Sequence, residues 1–166
     1  TPAETAILEI LGVAIHTLDL ADLQEGETAL VLGAGPLGLL LGQLSRHLGA
    51  GSVFAVDPLD YRCAVARQLG ADDSGPSHEA VAGWTDGRGA DVVLEATNSA
   101  HALQQAAACA RIGGRLVLAG IPEVDQVSVS ASLVRRKGLT LKAVRRMAPG
   151  VYPRAIELVS SGAVDL

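Results

Sequence analysis

Four short apolar runs punctuate the chain: Ala29-Leu30-Val31-Leu32, Val53-Phe54-Ala55-Val56, Val92-Val93-Leu94 and Leu116-Val117-Leu118-Ala119. Each is continuous instead of alternating, the pattern of strands covered on both faces. Helical spacing fills the stretches between them. Leu37, Leu40, Leu41, Leu44 and Leu48 repeat at i, i+3, i+4, i+7 and i+11, and the repeat stops at Gly49 with His47 in its last turn. A second helix, lined by Cys63, Ala66 and Leu69, is expected to open near Pro58 and close at Gly70. A third is expected to start at Ser99 as N-cap and run through Leu103, Ala106, Ala107 and Ala110 to a stop at Gly113-Gly114. Ala3 to Leu20 reads as an additional N-terminal helix, Leu139 to Val144 as a late strand, and Tyr152 to Ser161 as a last helix. Val127-Ser128-Val129-Ser130 alternates and reads as a short strand, and Asp72 to His78 as a loop. Strands alternating with helices require parallel pairing and right-handed crossovers. The expectation is an α/β fold, a doubly wound parallel sheet with helices on both faces.

Straight after the first strand comes Gly33-Ala34-Gly35-Pro36-Leu37-Gly38, which matches G-x-G-x-x-G. Gly33 permits a tight turn, Gly35 lets a pyrophosphate approach the backbone, and Gly38 lets helix and sheet pack closely. Pro36 falls in the first helical turn, where its missing N–H costs nothing. The free N–H groups of that turn and the helix dipole make an anion site. Asp57 follows Gly38 by nineteen positions, at the end of the second strand, where an acid accepts hydrogen bonds from an adenosine ribose. This is the dinucleotide-binding pattern of a Rossmann sheet. A structural glycine turn with an acidic helix cap at Asp57 is the plainer alternative, and S-adenosylmethionine-dependent methyltransferases share part of the pattern.

Composition narrows the partners. The 166 residues carry 13 basic and 18 acidic side chains, a net charge of −5. That balance argues against nucleic acid and anionic membranes, which favour basic patches. Nothing approaches the ~18–20 apolar residues of a membrane span or the layout of a signal peptide. Cys63 and Cys109 are the only cysteines, too few for a disulfide scaffold. Both fall on predicted helices among apolar neighbours and read as buried, inert thiols. A cytoplasmic globular domain is the expectation. His16, His47, His78 and His101 are scattered without ligand spacing, so no metal site is expected from this chain.

The chain resembles the cofactor domain of the medium-chain dehydrogenase/reductase family, in its zinc-dependent polyol (sorbitol) and threonine dehydrogenase branch. Ala6-Ile7-Leu8-Glu9 through His16, Gly33 to Gly38, Val56-Asp57, and Arg62 through Gly70-Ala71-Asp72 carry the resemblance. So do Gly89 to Thr97, Gly113 to Gly120, Lys142 to Arg146 and Tyr152 to Ile156. It implies a single dinucleotide-binding domain over 1–166, with a lead-in helix and approach over 1–26 and a Rossmann core over 27–166. The family's catalytic GroES-like domain, with its zinc ligands, has no counterpart here, which makes an excised domain or fragment the expectation. The resemblance further implies NAD as cofactor, with zinc in the parent enzyme but not bound by this chain. Expected partners are the dinucleotide, the absent catalytic domain and a second copy paired through a sheet edge at Val127 to Ser130.

By the same resemblance, cofactor-binding residues are Gly33, Gly35, Pro36, Leu37, Gly38, Asp57, Arg62, Ala96, Thr97, Gly120, Ile121 and Arg146; no residue of this chain is expected to be catalytic. Glu9 matches a family glutamate near the catalytic zinc, but Glu9-Ile10 stands where the family has Glu-Pro, and it reads equally as a helix carboxylate. Thr97-Asn98 stands where the family has Thr-Gly. Arg145 and Arg146 follow the last strand, and Arg135-Arg136-Lys137 reads as a solvated helix end. The implied function is NAD(H) binding that positions nicotinamide for hydride transfer in a zinc-type alcohol or polyol dehydrogenase, the isolated chain being inactive. A non-catalytic NAD(H) sensor and a domain of a zinc-free quinone or enoyl reductase remain as alternatives. Asp57 implies a preference for NAD(H) over NADP(H) of roughly tenfold to a thousandfold.

Overall fold

The computed structural model describes residues 2–166, with side chains from residue 5 onward. Among these, six strands form one sheet: β1 (Thr28–Leu32), β2 (Ser52–Val56), β3 (Asp73–Gly75), β4 (Ala90–Glu95), β5 (Ala110–Leu118) and β6 (Thr140–Ala143). Their order is β3-β2-β1-β4-β5-β6, and every neighbouring pair is parallel. The helices are α1 (Pro2–Ala21), α2 (Pro36–His47), α3 (Asp60–Gln68), α4 (Val81–Trp84), α5 (Ala102–Cys109), α6 (Ala131–Lys137) and α7 (Val151–Ser160). None is long and apolar enough to cross a membrane.

Both sheet faces are covered, which is why the strands read as continuous apolar runs. Val31, Leu94 and Val117 face a cluster built by Leu11, Ile15 and Leu18 of α1, Leu41 and Leu44 of α2, and Ala155 and Leu158 of α7. Their neighbours Leu30, Val93 and Leu116 face the other side, against Phe54, Val81 and Ala106. Leu11, Leu41 and Leu94 are wholly buried, and truncating any of them to alanine is worth about 2–5 kcal/mol.

Four expectations are corrected. Asp72 to His78 holds β3 and a 3₁₀ turn at His78–Ala80. β3 lacks an apolar run because side-chain bonds build it: Arg67 donates to the Ser74 carbonyl and hydroxyl, which itself donates to the Cys63 carbonyl. The third helix ends at Cys109, not at Gly113-Gly114. Ala110 already pairs with Ala90, and the glycine pair lies within β5 beside a register shift, Gly113 taking φ +73°. Lys137 is not a solvated end; its ammonium donates to the carbonyls of Ala107, Ala108 and Ala110, capping α5. Finally, Val127 to Ser130 is not a strand. Ser130 is the N-cap of α6, accepting from the Leu133 N–H at 3.3 Å, and a hydroxyl so used competes with strand pairing. The free edges of the sheet are β3 and β6.

Candidate functional site

From β1 the chain builds outward to β3, then crosses back to lay β4 on the other side of β1. Loops leaving the strand ends diverge at that reversal, and a crevice is the geometric result. A cleft of about 1150 Å³ opens there. Gly33, Gly35, Pro36, Leu37, Asp57, Arg62, Ala96, Thr97, Gly120, Ile121 and Arg146 all line it. Gly38 does not line it and is buried in α2.

The three glycines of the turn meet different demands. Gly33 has φ +92°, donates its N–H to the Val56 carbonyl at 2.7 Å, and would place a Cβ 2.8 Å from the Ala96 carbonyl oxygen. At Gly38 a Cβ would stand 1.7 Å from the Gly33 carbonyl oxygen and 3.2 Å from Val31. Gly35 is under no such constraint. Its φ of −73° and ψ of −175° suit any residue, and the nearest atom to an added Cβ is Arg62 Nη1 at 3.9 Å. Nothing inside the fold requires a glycine at this position. α2 begins with Pro36, has no side-chain cap and no acidic residue in its first turn, so its leading N–H groups face the cleft without an anion.

Asp57 is buried at the β2 exit. Its Oδ2 accepts from the Ala34 N–H at 2.9 Å and from Arg62 Nη1 at 3.3 Å; its Oδ1 accepts from the Leu59 N–H at 3.0 Å. The carboxylate therefore stitches the glycine turn to the β2 exit; it does not cap α3, whose N-cap is Leu59 without a side-chain bond. Three of its roughly four acceptor positions are used, and one remains. Arg62 is held from its other side by the Tyr61 hydroxyl, which accepts from Nε at 3.1 Å. The Tyr61 and Asp57 hydrogen bonds raise the guanidinium pKa.

Across β1, the exits of β4 and β5 form the opposite wall. Thr97 and Gly120 meet there over the carboxylate of Glu95, while Ile121 is 84% exposed. Arg145 and Arg146 also line the cleft. Arg146 takes a left-handed backbone, φ +58°, uncommon for a side-chain-bearing residue. Neither arginine has an acidic partner among the described residues. Glu9 reaches the cleft from α1, alongside Ile10 and Val13.

The sequence left several lining residues unmarked. Pro76, Ser77 and His78 come from the segment expected to be a loop, and Ser99 and Gln105 from the approach to α5 and its body. Glu95 lies within the stretch Gly89 to Thr97, and an acid ending an apolar strand is the signal that singles it out. Among the described residues no three histidine, cysteine, aspartate or glutamate side chains gather. Burial pushes the Cys109 thiol up to about 11.

The family model for zinc-binding dehydrogenases matches residues 36–161. Sorbitol dehydrogenase of Bacillus subtilis (strain 168) is 30% identical over 98% of this chain and 47% of its own length. D-xylulose reductase of Saccharomyces cerevisiae is 34% identical over 98% of the chain and 48% of its own length. Among solved structures, a protein of Sinorhizobium meliloti 1021 assigned as a zinc-binding dehydrogenase, bound to NADP, superposes with a TM-score of 0.88 at 30% identity. The match covers 98% of this chain and 50% of that one. The chain thus spans about half the length of the relatives it matches.

Proposed function

The chain belongs to the zinc-binding dehydrogenase family, and from that premise we propose that it binds a nicotinamide dinucleotide across its cleft, NAD(H) in preference to NADP(H). It does so as the cofactor half of a zinc-type alcohol or polyol dehydrogenase. Residues 1–166 act as one dinucleotide-binding domain, and a catalytic domain of the same enzyme supplies the zinc ligands and most of the substrate pocket. The observation that carries this reading is Gly35, a glycine that the fold itself does not need. Its bare backbone faces the cleft beside the uncapped N-terminus of α2, where a diphosphate can approach.

The ends of the ligand follow from that placement. The adenosine ribose lies over the β2 exit, where Asp57 has one acceptor position left for a hydroxyl. Across β1, the nicotinamide lies over Ala96, Thr97, Gly120 and Ile121. Arg145 and Arg146, free of acidic partners among the described residues, add positive charge to a cleft that also holds Arg62. When bound, the nicotinamide supplies or accepts the hydride. The residues of this chain bind it, orient it and wall off one side from water.

A second reading, NADP(H), has support in the relative solved with NADP and in Arg62, which stands 3.3 Å from Asp57 and partly offsets its charge. A 2′-phosphate at ~4 Å from a carboxylate meets about 4 kcal/mol of repulsion per unit charge at an effective dielectric of ~20. With Arg62 offsetting most of this, about 1.4 kcal/mol or more remains, a tenfold preference. Titration with NADH and NADPH at one ionic strength tests it. NADH should bind at least about tenfold tighter; equal affinities would leave Asp57 as a turn brace alone.

A further inference from the structure

We propose that Glu95 is a positioning residue for the nicotinamide side of the cleft, one buried carboxylate that holds the exits of β4 and β5 in register. The proposal rests on the dinucleotide reading above. Glu95 is 6% exposed and has no cationic partner among the described residues. Asp91, equally buried near the start of the same strand, has two arginines. A carboxylate kept for stability alone is ordinarily paired, since an unpaired buried charge is costly.

Glu95 is satisfied instead by the two loops that build the cleft wall. Its Oε1 accepts from the Thr97 N–H at 2.6 Å and from the Thr97 hydroxyl at 2.8 Å; its Oε2 accepts from the Gly120 N–H at 3.3 Å. The Thr97 hydroxyl in turn accepts from the Ser99 N–H at 3.1 Å. Gly120 gives an independent sign. It has no positive φ, yet a Cβ there would stand 2.7 Å from both carboxylate oxygens and 2.1 Å from the Thr97 carbonyl oxygen. The Thr97 carbonyl alone excludes a side chain at Gly120, and the Glu95 carboxylate packs into the space that this leaves. Thr97 and Gly120 both line the cleft; the Glu95 carbonyl accepts from the Gly120 N–H at 2.9 Å, and the Glu95 side chain joins Thr97 to that same point. Among the described residues, neither Gly35 on the diphosphate side nor Asp57 on the adenosine side is hydrogen-bonded to it.

The test is a titration of the 166-residue chain with NADH and with ADP-ribose, which keeps the adenosine and diphosphate but lacks nicotinamide. In Glu95→Gln the amide keeps the shape, but its NH₂ must face either Gly120 N–H or Thr97 N–H, donor against donor. NADH affinity should fall about tenfold while ADP-ribose affinity stays within about twofold. Thr97→Val removes one donor to the same carboxylate and should weaken NADH about threefold with ADP-ribose again spared; it decides the matter if Glu95→Gln does not fold. Equal weakening of both ligands, or weakening of neither, overturns the proposal while wild-type binding keeps the dinucleotide reading standing. A wild-type chain that binds neither ligand overturns both.

Discussion

Where the strands begin, Asp91 of β4 accepts two hydrogen bonds from Arg88, one from the Thr28 N–H at 2.9 Å, and one from Arg111. Glu27, just before β1, pairs with Arg115 of β5. Three strands are tied together, and the charges are consumed in doing so; the Nε of Arg115 is the one buried side-chain nitrogen without a partner among the described residues. Where the strands end, the same residue types stand differently. Arg145 and Arg146 have no acidic partner among the described residues. Arg146 is held at φ +58°, Gly35 lines the cleft with only Arg62 within 4 Å of an added Cβ, and Asp57 retains an acceptor position. A charge satisfied within the fold contributes stability. A charge or bare backbone left unsatisfied beside a cleft is available to a ligand, and strain there is tolerated because the surroundings fix it.

Three substitutions break or sharpen this contrast. The largest effect on stability is expected from Asp91→Asn, which forfeits the paired Arg88 bonds and should cost about 2–3 kcal/mol while leaving dinucleotide affinity unchanged. Hydrogen bonds from Arg88, with Thr28 and Arg111, hold the Asp91 carboxyl well below its usual range against the burial that would raise it. Its contribution is therefore complete above the ordinary carboxylate pKa and is lost as pH falls from there toward the depressed folded value. Urea melts at pH 7 and at about pH 3 should show the gap between wild type and variant beginning to narrow in acid, with most of it still present at the lower pH. Equal separation at both pH values would mean that the charge on Asp91 contributes nothing.

Gly35→Ala should do the opposite. Its φ suits alanine and a methyl meets nothing nearer than 3.9 Å, so stability should hold or rise by about 0.4–1 kcal/mol. The methyl occupies the ligand side, and NADH affinity, read by fluorescence, should drop tenfold or more, about 1.4 kcal/mol. The smallest effect is expected from Tyr61→Phe. Losing the exposed bond to Arg62 should change stability by less than about 0.5 kcal/mol. Arg62 would then be freer to meet a 2′-phosphate, and paired NADH and NADPH titrations should narrow their ratio about two- to threefold. An unchanged ratio would mean that Asp57 alone holds Arg62.

The readable parts of the site were those written in short windows. Gly33, Gly35 and Gly38 sit within six residues, and Asp57 lies one helix and one strand on, so spacing located Gly33, Gly35 and Asp57 on one cleft. Gly113-Gly114 misled because two glycines stop a helix and relax a bulge equally well; the pairing of Ala110 with Ala90 selected the bulge. Ser130 misled likewise, since its hydroxyl could sit in an alternating strand or cap a helix, and α6 took it.

From the sequence alone came the alternation of buried strands with amphipathic helices, the glycine turn and the acid at Asp57. Hydrophobic periodicity and turn chemistry act between neighbours within a few residues, so these are legible without knowing the fold. The tertiary structure alone decided which distant residues share a charge. Gly120 meets Glu95 across 25 positions, Lys137 caps α5 from about 30 away, and Arg115 meets Glu27 across 88. Such contacts depend on strand order, and the order reverses at β1 and β4, where no local pattern specifies which loop exits will face each other.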